Sequence, residues 1–362
     1  MKKAAFLFFF LFIVFAGYST IIMKPYLQAV TTTSIYVMVE CDNRNTVVVK
    51  YGPSDTYGDM AKTEFIATTT ASPVTYIHKI KLQGLSAGTR YFYQAFQGSS
   101  TFPGSGFITA VNPGTPFRFT WMADFRTNVS VHDSIAALLL TASPAMSLYG
   151  GDLCVNSEYD SWKKEFFRNN ELELISKVPF FNTPGNHEGW GTNARAFTQN
   201  PESPSGTQDY YSFDYGDLHV LSINYELPYD ENSPQYKFAV SDLASSNKSW
   251  KIVICHAPAY CAGGHGNDIG MIKLTNNIFE KNHVNLVISG HTHFYQHNLV
   301  HGIHHLVIGS AGAPLYTPEK SSYTVRSAKD YNWAIGEVTS QKLTLTIYNA
   351  ENKRLDRIEL TK

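Results

Sequence analysis

Residues 285–295 read NLVISGHTHFY, from Asn285 to Tyr295. The stretch opens on an apolar run, Leu286-Val287-Ile288, flanked by small residues. Such a run is the composition of a strand buried on both faces, as in a parallel sheet. It stops at Gly290, and His291 and His293 follow at once. Ligands of open α/β sheets gather just past the carboxyl ends of strands. Two imidazoles at i and i+2, launched from one strand end, reach neighbouring metal ions without a helix to space them.

Working outward, four more apolar β runs end in the same chemistry. Phe117–Met122 is followed by Ala123-Asp124-Phe125-Arg126, and Met146–Tyr149 by Gly150-Gly151-Asp152-Leu153. Val178–Asn182 runs into Thr183-Pro184-Gly185-Asn186-His187-Glu188, and Trp250–Cys255 into His256. A turn Asp or a surface His is unremarkable alone. Repeated at successive strand ends, Asp, Asp, Asn-His, His and His-x-His point to one metal centre. Carboxylates with imidazoles suit Mn, Fe and Zn. A carboxylate has two oxygens and can bridge two cations, and a metal pair can activate a water and clamp phosphoryl oxygens.

Between these strands lie helical patterns: Val131–Thr141, Tyr159–Arg168, a helix capped by Ser233 with Pro234 first, and Ile269–Lys281. Alternating strand and helix predicts a mainly parallel sheet covered by helices. Tyr210–Asp214 and Leu218–Asn224 read as a hairpin. The chain closes on short antiparallel candidates: Gln296–Val300, Ile303–Ile308, Trp333–Val338, Leu343–Tyr348 and Asp356–Leu360. Upstream, Ile22 to about Ala110 reads as all-β, with strands at Ser34–Glu40, Thr46–Tyr51, Tyr76–Leu82 and Arg90–Gln97. Tyr91 follows a Gly-bearing corner, the tyrosine-corner pattern of Ig-like sandwiches. A Pro/Gly stretch, Val111–Pro116, separates the two patterns.

The first residues differ from the rest. Lys2-Lys3 precedes an apolar run from Ala4 to Ala16, then Gly17-Tyr18-Ser19. This is the layout of a secretory signal peptide, short for a comfortable membrane span, with an uncleaved anchor as the competing reading. The expected division is residues 1–19 signal peptide, 20–112 β-sandwich and 116–362 α/β domain. Export to a secreted, lumenal or periplasmic location is expected. The four cysteines, Cys41, Cys154, Cys255 and Cys261, leave one or two disulfides or buried thiols open. With net charge -1 and no basic stripe, nucleic acid is not an expected partner, nor is a stable membrane partner.

The order D-x-x, GD, GNH[DE], H, GHxH resembles the calcineurin-like metallophosphoesterases. It is most similar to their purple acid phosphatase branch, in which a β-sandwich precedes the phosphoesterase domain. Lys24-Pro25-Tyr26-Leu27-Gln28, the Tyr210–Asp214 hairpin and Gly290–Tyr295 carry the same resemblance. It implies an N-terminal Ig- or fibronectin type III-like sandwich plus an α/β domain with a two-sheet β core flanked by helices. It implies two metal ions, with Asp152 bridging both. Asn186, His256 and His291 would complete one ion, and Asp124 and His293 would serve the other. His187 would be the general acid, oriented by a carboxylate such as Glu188. The substrate would be a small phosphate ester, contacted by Asn186 and His265; Arg126, which departs from the resemblance, is read from its own chemistry as pointing at the substrate phosphate, which a guanidinium matches. His265 reads equally as a solvated loop residue, and Arg126 as a surface Arg. His297, His301, His304 and His305 lie around an expected surface hairpin and are given no role.

Two positions depart from the resemblance. Where purple acid phosphatases have the Tyr of GDxxY this chain has Val155, and where other members have the His of D-x-H it has Arg126. The Asp124 ion is therefore short of one protein ligand, with water, Asn156 or Cys154 available to fill the place. The expected function is acid phosphatase-type hydrolysis of monoesters by hydroxide generated at the metals. The alternatives are a phosphodiesterase or nucleotidase on the same ions, or a decayed phosphate-binding or adhesion module.

Overall fold

The computed structural model describes residues 20–362. The expected signal peptide lies outside the described residues. Among those described, no helix is long and apolar enough to cross a membrane.

The strands form where apolar runs were read. Phe117–Met122, Met146–Tyr149 and Phe180–Asn182 lie side by side and parallel in a ten-stranded sheet. Leu218–Ile223, Trp250–Cys255, Leu286–Ser289 and Ile303–Ile308 are the parallel centre of a second, seven-stranded sheet. The hairpin forms with Tyr211 opposite Ser222. The C-terminal strands Asn332–Val338, Lys342–Asn349 and Arg354–Thr361 extend the first sheet antiparallel.

The two sheets face each other across a core that includes Phe119, Trp121, Leu148, Ile252, Ile254, Leu286 and Ile288. The Trp121 indole N–H donates across this interface to the Ile308 carbonyl at 2.9 Å, so its polar atom is satisfied in the dry interior. Helices Val129–Ala142 and Asn169–Ile175 cover the outer face of the first sheet, packing on Phe125, Tyr149 and Phe180. Pro234–Ser245 and Ile269–Leu274 cover the second. The Ser233 hydroxyl caps Pro234–Ser245 by accepting the Tyr236 amide at 3.1 Å. Two expected helices are shorter than their patterns. Tyr159–Ser161 and Ile269–Leu274 each pass into a π-helical turn, Trp162–Phe166 and Thr275–Phe279. Short helices at Asn169–Ile175 and Thr192–Phe197 and a strand at Thr324–Ala328 were not anticipated.

The N-terminal β region does not stand apart. Tyr26–Gln28, within the Lys-Pro-Tyr-Leu-Gln stretch, pairs parallel with Phe180–Asn182, Gln28 opposite Phe180. Through it Ser34–Cys41, Tyr76–Gln83 and Phe65–Thr68 join the ten-stranded sheet. A third sheet, with Val48–Gly52 and Arg90–Gln97 at its centre, packs on them through Val37, Val49, Ile80 and Tyr93. The Tyr91 hydroxyl accepts the Ser86 amide at 3.0 Å, as a tyrosine corner requires. All four cysteines are buried free thiols.

Candidate metal centre

Because the strands before Asp124, Asp152 and Asn186 run parallel in one sheet, their carboxyl ends open on one edge. Those before His256 and His291 do the same in the other. The two edges meet. From the second edge, His256 Nδ1–H donates across to the Gly150 carbonyl of the first at 2.7 Å. The His291 amide donates to both Asp124 oxygens, at 3.0 and 3.2 Å. Ligand atoms of Asp124, Asp152 and His256 lie within 4.8 Å of one another, and all three residues are buried.

The turns that deliver these side chains are strained. Asp124, Asp152 and His291 have φ of 58, 54 and 67°. Left-handed backbone costs an L-residue roughly 1–2 kcal/mol. Strain of this kind gathers at functional sites, where the surroundings over-determine it. Neighbouring glycines make the turns possible. A Cβ on Gly185 would lie 2.3 Å from Asp152 Oδ1, and one on Gly290 would lie 2.4 Å from Asp124 Oδ2.

Tautomers follow from the hydrogen bonds. His256 donates Nδ1–H to the Gly150 carbonyl at 2.7 Å, and His293 donates Nδ1–H to the Pro314 carbonyl at 2.8 Å. In the neutral rings Nε2 is then a lone pair aimed into the site. His256 Nε2 lies 3.3 Å from Asp152 Oδ1, 3.1 Å from Asn186 Oδ1 and 3.1 Å from His291 Nδ1. His293 Nε2 lies 3.5 Å from Asp124 Oδ1. Burial first, and then repulsion from His256 and His265, push the His291 pKa down to about 3. Burial raises the Asp124 carboxyl. Burial also opposes ionisation of Asp152, but His256, His187, the His187 amide and Arg126 outweigh it and hold the group low. Electron-pair donors thus face one another, those of Asp124, Asp152, His256 and His293 on buried residues, an arrangement that a cation satisfies. The residues present fit a metal ion.

His187 sits at the rim, with Nε2 3.8 Å from Asp152 Oδ2. Glu188 does not orient it. The Glu188 carboxylate is buried and accepts the amides of Asp152, Leu153 and Gly185 at 3.1, 3.2 and 2.8 Å. It therefore ties two strand-end loops together. Burial first, and then the Asp152 charge, raise its pKa well above the usual range. His265 is exposed and stacks on His291, ring centroids 4.3 Å apart, so it lies over the centre. Arg126 places Nε 3.3 Å from Asp152 Oδ2 and Nη2 3.3 Å from His293 Nε2.

Neither neighbour offered for the missing ligand faces the site. The Cys154 thiol donates to the Asn156 carbonyl at 3.1 Å, and burial raises its pKa. Asn156 Oδ1 accepts from the Glu158 amide and the Ser161 hydroxyl.

Three participants were not anticipated. Tyr225 lies 5.7 Å from the His256 ring and 5.8 Å from that of His291. It follows Asn224 at the end of Leu218–Ile223, a strand end that the same search would have reached. Tyr316 stacks on His293 at 4.3 Å, and Glu165 accepts the amides of Thr127 and Val155. Nothing local in the sequence marks either.

Residues 122–295 match the family described as calcineurin-like phosphoesterase. Purple acid phosphatase 22 of Arabidopsis thaliana is 28% identical over 241 residues, covering 61% of this chain and 53% of that protein. The chain spans about half the length of the curated relatives it matches. Among solved structures, a purple acid phosphatase from yellow lupin (Lupinus luteus) seeds superposes with a TM-score of 0.81 at 19% identity. That match covers 94% of this chain and 74% of the lupin chain. PhoD superposes with a TM-score of 0.68 at 11% identity, covering 94% and 92%. These likenesses establish the fold.

Proposed function

From the premise that residues 122–295 form a calcineurin-like phosphoesterase domain of the purple acid phosphatase-like branch, we propose a metal-dependent phosphoesterase acting on small phosphate monoesters. The observation that carries this is the facing of Asp152 Oδ1 and the His256 Nε2 lone pair at 3.3 Å, beside Asn186 and His291. These residues would hold the ion. When bound, a metal supplies a Lewis acid for the phosphoryl oxygens and a more acidic water.

The chain's own groups do the rest. His256 and His293 are locked by their Nδ1–H bonds, so their lone pairs are oriented before anything binds. Protonated His187 donates from Nε2 to the departing alkoxide. Arg126 and His265 contact the phosphoryl group at the mouth, where a guanidinium fork matches two oxygens. The β region 20–112 acts as a fibronectin type III-like positioning module for the phosphoesterase domain 116–362. The basic-then-apolar stretch from Lys2 to Ala16 supports export of the protein.

The test is hydrolysis of 4-nitrophenyl phosphate and bis(4-nitrophenyl) phosphate by the full chain with Mn, Zn or Fe added. Hydrolysis of the monoester in preference to the diester is expected. His256→Ala is expected to lose both bound metal and turnover. Preference for the diester would replace the monoesterase reading with a phosphodiesterase. Tight metal binding with no hydrolysis of either ester would leave a phosphate-binding module.

A further inference from the structure

We propose that the Arg126 guanidinium takes the place of a second metal ion, so that this centre binds one ion per chain. The inference rests on the metal-dependent reading above. A second ion would draw on the outer oxygen of Asp152, on Asp124 and on the lone pair of His293. The guanidinium already engages two of these, Asp152 Oδ2 through Nε and His293 Nε2 through Nη2, each at 3.3 Å. His293 accepts this contact because its Nδ1–H is committed to the Pro314 carbonyl. The Arg126 side chain is only 12% exposed, and its guanidinium is a cation with donors alone to offer. A divalent ion placed beside it would meet a like charge in a poorly solvated space.

The loops hold it there. Glu165 accepts the amide of Thr127, next to Arg126, and that of Val155. Thr127 takes a φ of 75°, which turns the chain away directly after Arg126. Val155 is exposed, and Cys154 and Asn156 are bonded elsewhere, so neither of the two neighbours offered for the missing ligand supplies it. On the other side Asp152 Oδ1, Asn186 Oδ1, His256 Nε2 and His291 Nδ1 remain clear of the guanidinium. One side of the centre is thus built for an ion and the other already holds a positive charge. Arg126 then supplies the second cation that a phosphoryl group would otherwise find in a metal.

The experiment is metal counting on the full chain. Wild type and Arg126→His are equilibrated with Mn2+ or Zn2+ and freed of excess, and metal per chain is measured by mass spectrometry. One equivalent is expected for wild type and two for Arg126→His, which supplies an imidazole in place of the guanidinium. With Mn2+, electron paramagnetic resonance should show isolated ions in wild type and a spin-coupled pair in the variant. Two equivalents of comparable affinity in wild type would overturn the proposal. Should Arg126→His fail to fold, the wild-type count and its spectrum decide alone. A one-ion protein that hydrolyses no phosphate ester would sink the proposed function and leave this inference standing. A two-ion protein that hydrolyses them would do the reverse.

Discussion

The carbonyl oxygen of Val155 accepts the Nδ1–H of His187 at 2.8 Å. A backbone group therefore sets the ring, and Nε2 is the atom turned toward Asp152. The valine side chain is irrelevant to this bond; its main chain is what matters. His187→Ala is expected to lower kcat on an alkyl phosphate by about 10²–10⁴-fold, the usual contribution of a general acid. The loss should be smaller on 4-nitrophenyl phosphate, whose leaving group needs little protonation. Metal content should stay at the wild-type value, since Asp152, Asn186, His256 and His291, which would hold the ion, all remain. Equal losses on both esters would take His187 out of proton transfer.

Gly185 packs against Asp152 with no room for a side chain. An added Cβ would lie 2.2 Å from the Asp152 amide nitrogen and 2.3 Å from Oδ1. Gly185→Ala is therefore expected to push Asp152 out of line. A stability loss of about 1–3 kcal/mol is the scale for such overpacking. Chemical denaturation gives the stability and mass spectrometry the metal content, and both should fall. Gly189→Ala is the control. Nothing lies within 4 Å of its Cβ position, although its φ of 58° adds strain of its own.

His219 carries a pH dependence that is independent of the centre. Burial alone would lower its pKa, but Asp214 and Asp242, each bonded to it at 2.8 Å, raise it to about 9. The folded value lies above the unfolded one, about 6.5. The resulting stabilisation is complete below about pH 6.5 and is lost as pH rises through about 9. Its size is at most roughly 3 kcal/mol. Urea unfolding at pH 6 and pH 9.5 should show this difference in wild type, and most of it should vanish in His219→Gln. An unchanged difference in the variant would assign the effect elsewhere.

His305 behaves in the opposite sense. It is 2% exposed, packs edge-on to Tyr260 at 4.7 Å, and neither ring nitrogen has a hydrogen-bond partner. Burial first, and then His304 and His301, push its pKa down to about 3. The unfolded chain takes up a proton here near pH 6.5 that the folded chain refuses until about 3. Stability is therefore lost as pH falls through that window. His305→Leu removes two unpaired polar atoms at similar volume, and a gain of about 1 kcal/mol at pH 7 is expected. The gain should grow at pH 5. Thermal denaturation at the two pH values checks both points. The burial of His305 and His297 shows that the hairpin of Tyr295–Val300 and Ile303–Ile308, expected at the surface, is largely buried, and His297 Nε2 lies 2.8 Å from His304 Nδ1 within it.

What the sequence determined by itself was local. Core strands carry mostly apolar runs bounded by turn residues, so Phe117–Met122, Met146–Tyr149, Trp250–Cys255 and Ile303–Ile308 could be bounded to the residue. The chemistry of their ends was legible because it follows each run directly. Tertiary structure decided everything that depends on which groups meet. The addition of Tyr26–Gln28 to the phosphoesterase sheet is a long-range pairing with no local signal. Glu188 was read as a partner of His187, yet its three amide donors come from two loops that only the parallel sheet brings together. Arg126 was left open between surface and substrate. Only the meeting of two sheet edges places its guanidinium between Asp152 and His293, because the partners come from strands far apart in the chain.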